Sequence, residues 1–283
     1  MVLIFVMASC QKEGVFNPKK KIDRVYYSFR SNAYGESTTT GKYVKEVWDW
    51  DNNILRSIAF YDEDGDLGYT ETYSYDKQKR LSEITWGSNS KYTMIYDGKH
   101  LSRIEYYSGS TLEEQIDITH DGNRISEMKI TDFDSKAAAA PMSPTIFRFF
   151  LPNFDEQSAA KVLARINTAK ATKSTETYTI KFEWDGKNIK KLTEEMGPYK
   201  STVNYTYDDM TNPFKGLFDI DEFTFLEACS ANNVVKETAI FEDEIEESSY
   251  SYVYDGKYPT SKTYSYDNGE EYSYSYTYYY EYK

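Results

Sequence analysis

The chain has 283 residues, with 33 Lys and Arg against 46 Asp and Glu, a formal charge of −13. That balance excludes nucleic acid as a partner, because phosphate binding draws on clustered Lys and Arg, and it disfavours docking on an anionic membrane surface. Aromatic residues make up 17% and 29 residues are Tyr, a large amphipathic ring suited to half-exposed strands, so the bias is toward sheet.

Met1 to Met7 is an apolar run followed by Ala8-Ser9-Cys10. It is too short to span a bilayer as a helix. An apolar stretch ending in two small residues and a Cys predicts a lipoprotein signal peptide over residues 1–10. Cys10 is then the acylated residue and the chain's single link to a membrane. Residues 11–40 are expected to form a tether and the first strand. With Cys10 lipidated no disulfide framework remains, and Cys229, within Phe225-Leu226-Glu227-Ala228-Cys229, is a small buried hydrophobe.

From Trp50 onward one phrase recurs: an aromatic strand end, an Asp-Gly-type turn, then apolar residues four and seven places after the Asp. Tyr96-Asp97-Gly98 leads to Leu101 and Ile104, His120-Asp121-Gly122 to Ile125 and Met128, Trp184-Asp185-Gly186 to Ile189 and Leu192. Trp50-Asp51 leads to Leu55 and Ile58; Tyr75-Asp76 carries one extra residue before Leu81 and Ile84; Tyr254-Asp255-Gly256 keeps only the turn. Upstream of the turns the residues alternate, as in Tyr92, Met94 and Tyr96 or Tyr178, Ile180 and Phe182, with Thr, Ser, Lys and Glu between them. Period two with one apolar face marks antiparallel strands, and Asp-Gly between two such runs marks a tight hairpin. Copies starting at Trp50, Tyr75, Tyr96 and His120 are 21 to 25 residues apart, the length of one hairpin. About sixteen strands are more than an open twisted sheet carries without curling. The expected fold is all-β: a large antiparallel up-and-down meander over residues 41–283, curled into a soluble barrel or half-barrel.

Two inserts break the pattern. Residues 135–172 open on Ala137-Ala138-Ala139-Ala140-Pro141 and predict a helix, with Asn153 and Glu156 as a capping box and Ala159, Val162, Leu163 and Ile166 as its apolar stripe. Residues 209–233 predict a short helix over 222–229. Both are too apolar for solvated loops and are expected to pack on the apolar face as plugs or end caps.

No residue set carries a catalytic motif. His100 and His120 are twenty residues apart with no metal-ligand spacing, so neither a metal nor another cofactor is expected. Asp62-Glu63-Asp64-Gly65-Asp66 has its Gly at the wrong place for a calcium loop and reads as a solvated hairpin tip. Glu242 to Glu247 reads as a wet edge or loop. In the last strand Tyr272 to Tyr282 occupy one face at every even position, where they fill the core. Tyr279, on the sparse face, is the candidate ligand contact.

Tyr75-Asp76-Lys77-Gln78-Lys79-Arg80-Leu81 resembles the core of YD-repeat (Rhs-type) hairpins. Cys10-Gln11-Lys12-Glu13 is similar to the export tags of Bacteroidetes surface lipoproteins. The repeated turns, Asn212-Pro213-Phe214-Lys215-Gly216-Leu217, Asn232-Asn233-Val234-Val235-Lys236 and Tyr258-Pro259-Thr260-Ser261-Lys262 resemble a Bacteroidetes lipoprotein family of unknown function with a porin-like fold, over roughly residues 40–283. That resemblance implies a β-meander of barrel-like curvature and assigns no catalytic residues. The second strand face here reads Ser, Thr, Lys, Glu and Asp, not the outward apolar band of a lipid-facing barrel. The sequence therefore points to an outer-membrane lipoprotein exposed at the surface, non-enzymatic, acting as a binding or scaffold protein for a glycan, glycoprotein or outer-membrane partner. The alternatives are a glycan hydrolase with carboxylates inside the barrel and a structural adhesion subunit.

Overall fold

The structure, a computed structural model, describes residues 13–33, 36–133, 177–196, 199–217, 228–241, 244–267 and 272–283. Within them lie seventeen strands: β1 (Ile22–Ala33), β2 (Glu36–Thr39), β3 (Tyr43–Asp51), β4 (Ile54–Tyr61), β5 (Leu67–Tyr75), β6 (Leu81–Trp86), β7 (Ser90–Asp97), β8 (His100–Ser108), β9 (Thr111–Asp121), β10 (Arg124–Asp132), β11 (Thr177–Asp185), β12 (Asn188–Met196), β13 (Tyr199–Tyr207), β14 (Val234–Phe241), β15 (Glu244–Asp255), β16 (Tyr258–Asp267) and β17 (Tyr272–Tyr282).

From β3 to β17 each strand pairs antiparallel with the next, and β17 returns to β1 with Val25 opposite Tyr280 and Ala33 opposite Tyr272. One half of β1 then pairs with β3 and the other half with the short β2, so β2 and β3 share one stave and the barrel closes on sixteen. The meander is thus a closed barrel, which removes the exposed edges of an open sheet. Cys10 and the predicted helix around Asn153 lie outside the described residues. So does most of the second predicted helix. What is described of that insert is turns over 208–217 and a short helical end at Ala228 and Cys229.

The Asp-Gly turns are two-residue loops whose first residue has positive φ: Gly98 at 57°, Gly122 at 62°, Gly186 at 57° and Gly256 at 62°. Asn52 takes the same conformation at 55°, and in the turn with one extra residue Lys79 does so at 62°. Behind every such turn the register slips by one residue. The skipped residues are Arg56, Ser82, Ser102, Ser126, Lys190 and Thr260. Ser102, Ser126 and Thr260 each return a hydroxyl bond to the facing strand, at 3.0–3.1 Å, onto Ile95, Thr119 and Val253. A bulge of this kind adds twist and curvature, which a closing barrel requires.

The inner face carries the repeated apolar pairs. Leu55, Leu101, Ile180, Ile189 and Met128 have no exposed surface, and the buried residues form one cluster. Each such side chain contributes about 1.5–3 kcal/mol by leaving water. The outer face is mainly polar, with isolated exposed residues such as Ile95, Ile245 and Val253, and carries cross-strand ion pairs: Arg103–Asp117 at 2.8 Å, Lys181–Glu195 at 2.6 Å and Lys236–Glu247 at 2.7 Å.

Two segments cover the Asp-Gly end. Phe16, on the approach to β1, lies 5.6 Å from Trp50 and 6.3 Å from Trp48, and Lys20 pairs with Asp255 at 2.9 Å. From the 209–233 insert Phe214 packs on Trp48 and Tyr280, and Leu217 is buried. Asn188, Asn212, Asn232 and Asn233 tie that insert together. The described part of that insert lies against the barrel end.

Candidate functional site

At the capped end the hairpins are locked by a second recurring bond. At several hairpins the aromatic residue that precedes the turn donates to the carbonyl of the first core residue of an adjoining stave, whereas Tyr254 donates to the Asp208 carboxylate. Tyr75 donates to Leu55 at 2.9 Å, Tyr96 to Leu81 at 2.7 Å and Trp184 to Ile125 at 2.7 Å. Tyr282 does the same to Pro259 at 2.8 Å, and Trp50 to Ile22 at 2.8 Å. Three residues past the turn Asp, Arg124 reaches the next turn at the Gly186 carbonyl, 2.6 Å away; Arg80, shifted by the extra residue, reaches Gly98 at 2.7 Å.

Between β7 and β10 both positions change chemistry. His120 stands where its neighbours carry Tyr96 and Trp184, and His100 stands where β10 carries Arg124. These are the only two histidines of the chain. Their rings lie 4.4 Å apart at 43°, and the carboxylate of Glu13 enters beside them from the N-terminal segment. Glu13 Oε1 is 3.0 Å from His120 Nε2 and 3.4 Å from His100 Nδ1, while Oε2 is 3.1 Å from His120 Nε2 and accepts the Leu101 amide at 2.7 Å. The three side chains retain 16%, 25% and 10% of their surface for Glu13, His100 and His120. Burial alone would push the Glu13 carboxyl up, but the bonds from His120, Leu101 and His100 outweigh it and hold it below the ordinary Glu range. Sequence spacing gave no sign of this group, because three distant segments supply it. The break in the repeat at His120 is the signal that could have found it.

The inner face changes character toward the opposite end. Two residues past the apolar positions the alternation places carboxylates inward. Glu194 sits opposite Ile180, Glu114 opposite Asp132 and Tyr106, Glu71 opposite Trp86, and Glu237 opposite Tyr205. Glu71 is buried and accepts the Tyr73 hydroxyl at 2.6 Å; Glu46 accepts Trp48 Nε1 at 2.9 Å; Tyr250 donates to Glu237 at 3.2 Å. Burial pushes Glu114 up to about 8, with the charge of Asp132 adding to it, and burial pushes Glu194 up to about 8 against the opposing bond from Ser201. Trp86, Tyr92 and Tyr106 stack among these acids, Trp86 lying 5.0 Å from Tyr92 and 5.8 Å from Tyr106.

Of the sequence candidates, Tyr279 lies on the outer face, half-buried, with Lys42 Nζ 4.3 Å from its ring and 4.4 Å from that of the cross-strand Tyr26. Its even-numbered neighbours face inward; Tyr280 is buried, and Tyr274, Tyr276, Tyr278 and Tyr282 pack against the core. Cys10 lies outside the described residues. Asp62 spends its side-chain oxygen on the amides of Asp64 and Asp66, which makes that acidic stretch a self-contained turn. The described part of the 242–247 run begins β15 at Glu244, where Glu246 lies opposite Ala239.

The overall arrangement is similar to known structures. A porin-like protein from Bacteroides uniformis matches with a TM-score of 0.53 at 10% identity, over 96% of this chain and 100% of that one. A porin-like protein from Bacteroides vulgatus matches with a TM-score of 0.49 at 9% identity, over 94% of this chain and 99% of that one. No protein-family profile and no curated protein matches the chain. The first of these likenesses shows the fold alone: the chain is an all-β antiparallel barrel like that porin-like protein.

Proposed function

We propose that the protein is a lipid-anchored component of the cell envelope that acts by binding, with its barrel standing in water and not in lipid. The observation that carries this reading is the division of the two faces. Ser, Thr, Lys, Glu and Asp with cross-strand ion pairs dominate the outer face of the described strands, interrupted by single exposed residues such as Ile95, Ile245 and Val253, where a membrane-spanning barrel needs a continuous apolar band. The Ala8-Ser9-Cys10 sequence after an apolar run supports the anchor. Glu13, seated on the capped end, is three residues from Cys10, a reach of about 10 Å at most. A lipid on Cys10 would therefore hold the capped end toward the membrane and turn the opposite end outward.

The outward end combines Trp86, Tyr92 and Tyr106 with carboxylates, a chemistry suited to polyhydroxylated ligands whose rings stack on aromatics while their hydroxyls donate to acids. A glycan or glycoprotein is the ligand this favours; an outer-membrane protein is the alternative partner. Two measurements test the reading. Membrane fractionation of wild type and Cys10→Ala should show loss of the membrane-bound pool in the variant, and retention would refute the anchor. A glycan screen with the purified protein should return binders, with Tyr279→Ala reporting on the outer face; no binding to any glycan removes the carbohydrate version.

A second reading rests on Glu114 and Asp132, which face each other across β9 and β10 with Glu114 pushed up to about 8. A carboxyl kept protonated beside another acid is the arrangement of a glycosidase acid pair. Release of reducing sugar from a bound glycan, abolished in Glu114→Gln, would favour catalysis. Binding without turnover leaves the first reading standing.

A further inference from the structure

We infer that Glu13, His100 and His120 form a binding site for one first-row divalent transition-metal ion, with zinc the reference ion, which clasps the N-terminal segment to the end of the barrel. The inference is independent of the proposed function.

The donor set is two imidazole nitrogens and one carboxylate, a combination these ions favour. All three contribute a ligand atom within 4.8 Å of the others. The carboxylate-to-nitrogen separations of 3.0 and 3.4 Å bracket the edge of a tetrahedron built on metal–ligand bonds of about 2.0–2.1 Å, roughly 3.3 Å. The two His ligand atoms, within 4.8 Å of each other, must close to about that edge when the ion binds. Glu13 is held in orientation by the Leu101 amide, the kind of outer bond that fixes a ligating carboxylate. Partial exposure of His100 leaves a side from which an ion and a water ligand can enter.

The repeat supplies a second, separate observation. On the staves either side of the His100–His120 junction, β6–β7 and β10–β11, the same two positions carry an aromatic donor, Tyr96 or Trp184, and an Arg reaching the next turn, Arg80 or Arg124. At the junction itself both kinds are replaced, and both replacements are His. It is at that junction that the N-terminal segment brings an acid. Gly14 next to it uses only its backbone carbonyl, which accepts the Leu81 amide at 2.8 Å, so backbone contact alone can seat this segment on a neighbouring hairpin. The substitution of chemistry at His100 and His120 is therefore not needed for docking as such; it fits an ion. A metal here would join β8 and β9 to the chain just before β1, and so would fix the cap.

The test uses the purified full chain, dialysed against EDTA and titrated with zinc chloride. Uptake of one zinc per chain is expected, with a melting temperature raised by about 5 °C at a hundredfold excess over Kd. His100→Gln, His120→Gln and Glu13→Gln should each weaken binding by about tenfold or more. Equal zinc uptake by wild type and the His100→Gln/His120→Gln double variant, or none by wild type, overturns the proposal, because the ion then sits on surface carboxylates or nowhere. Should a variant misfold, the wild type suffices. Its two imidazoles are the only ones present, and nitrogen-correlated NMR should show both rings perturbed by one equivalent of zinc. Two unperturbed rings refute the site.

Discussion

Gly14 lies directly against Tyr96: a Cβ on the glycine would fall 2.0 Å from the tyrosine hydroxyl oxygen. The glycine also has a φ of +74°, where a side chain costs about 1 kcal/mol or more. Its carbonyl accepts the Leu81 amide, and Tyr96 donates to the Leu81 carbonyl, so the three residues form one closed junction. Gly14→Ala must displace either the N-terminal segment or the Tyr96 ring. The expected cost is about 2–4 kcal/mol, seen as faster hydrogen exchange over residues 13–21 and a lower melting temperature. Exchange rates equal to wild type would show that this contact does not seat the segment.

Tyr96→Phe isolates the aromatic lock, since it removes one oxygen and leaves the ring. The Leu81 carbonyl loses a donor in a half-buried place, and urea unfolding should report a loss of about 1–2 kcal/mol. Tyr107→Phe is the control. Its hydroxyl bonds Glu105 on the solvent-facing side of β8, and no measurable loss is expected. Similar losses in the two variants would mean that the lock contributes no more than a surface hydrogen bond.

The strands and their turns were legible in sequence because a period of two and an Asp-Gly turn are local properties; Leu55, Leu101, Ile125 and Ile189 are buried where the phrase places them. Closure was not legible. It depends on β1 meeting β17, as in the bond from Tyr26 to Glu281, 255 positions apart, and no local pattern encodes such a contact. The same holds for the site. Glu13 is 87 positions from His100 and 107 from His120, and only the repeat brings the two His together by stacking successive turns at one end. His120 did carry a signal, as the one phrase whose Tyr or Trp is replaced by an imidazole. Glu114 and Glu194 carried a weaker one, as acids on the face that alternation assigns to the core.

Those two acids set a pH dependence. Their ordinary value is 4.5 and burial raises both to about 8 in the folded chain. Between those values the folded state holds more protons than the unfolded one, so stability falls with rising pH. Their contribution is fully present below about pH 4.5, is lost progressively up to about pH 8 and is flat above that. Denaturant midpoints measured from pH 5 to 9 should decline across the lower part and level off. The Glu114→Gln/Glu194→Gln double variant should flatten the decline, since Gln keeps the neutral form at every pH. A wild-type slope unchanged in the variant would assign the effect to other groups.

Cys229 gives the last test. Burial pushes its thiol well above the ordinary range, the charge of Glu13 adds to that, and only Lys215 opposes it. The thiolate is the reacting species, so in the Cys10→Ala background, where Cys229 is the single thiol, the native protein should be nearly inert to a disulfide reagent at pH 8. Denaturant should release the thiol to full labelling. Because the thiol senses Glu13, its labelling rate also reports on the cap. Glu13→Gln removes the charge that helps hold the thiol neutral and also loosens the N-terminal segment, and both effects speed labelling. Lys215→Met removes the single opposing cation and should slow it. Rapid labelling of the native wild type would place Cys229 outside the protected end of the barrel.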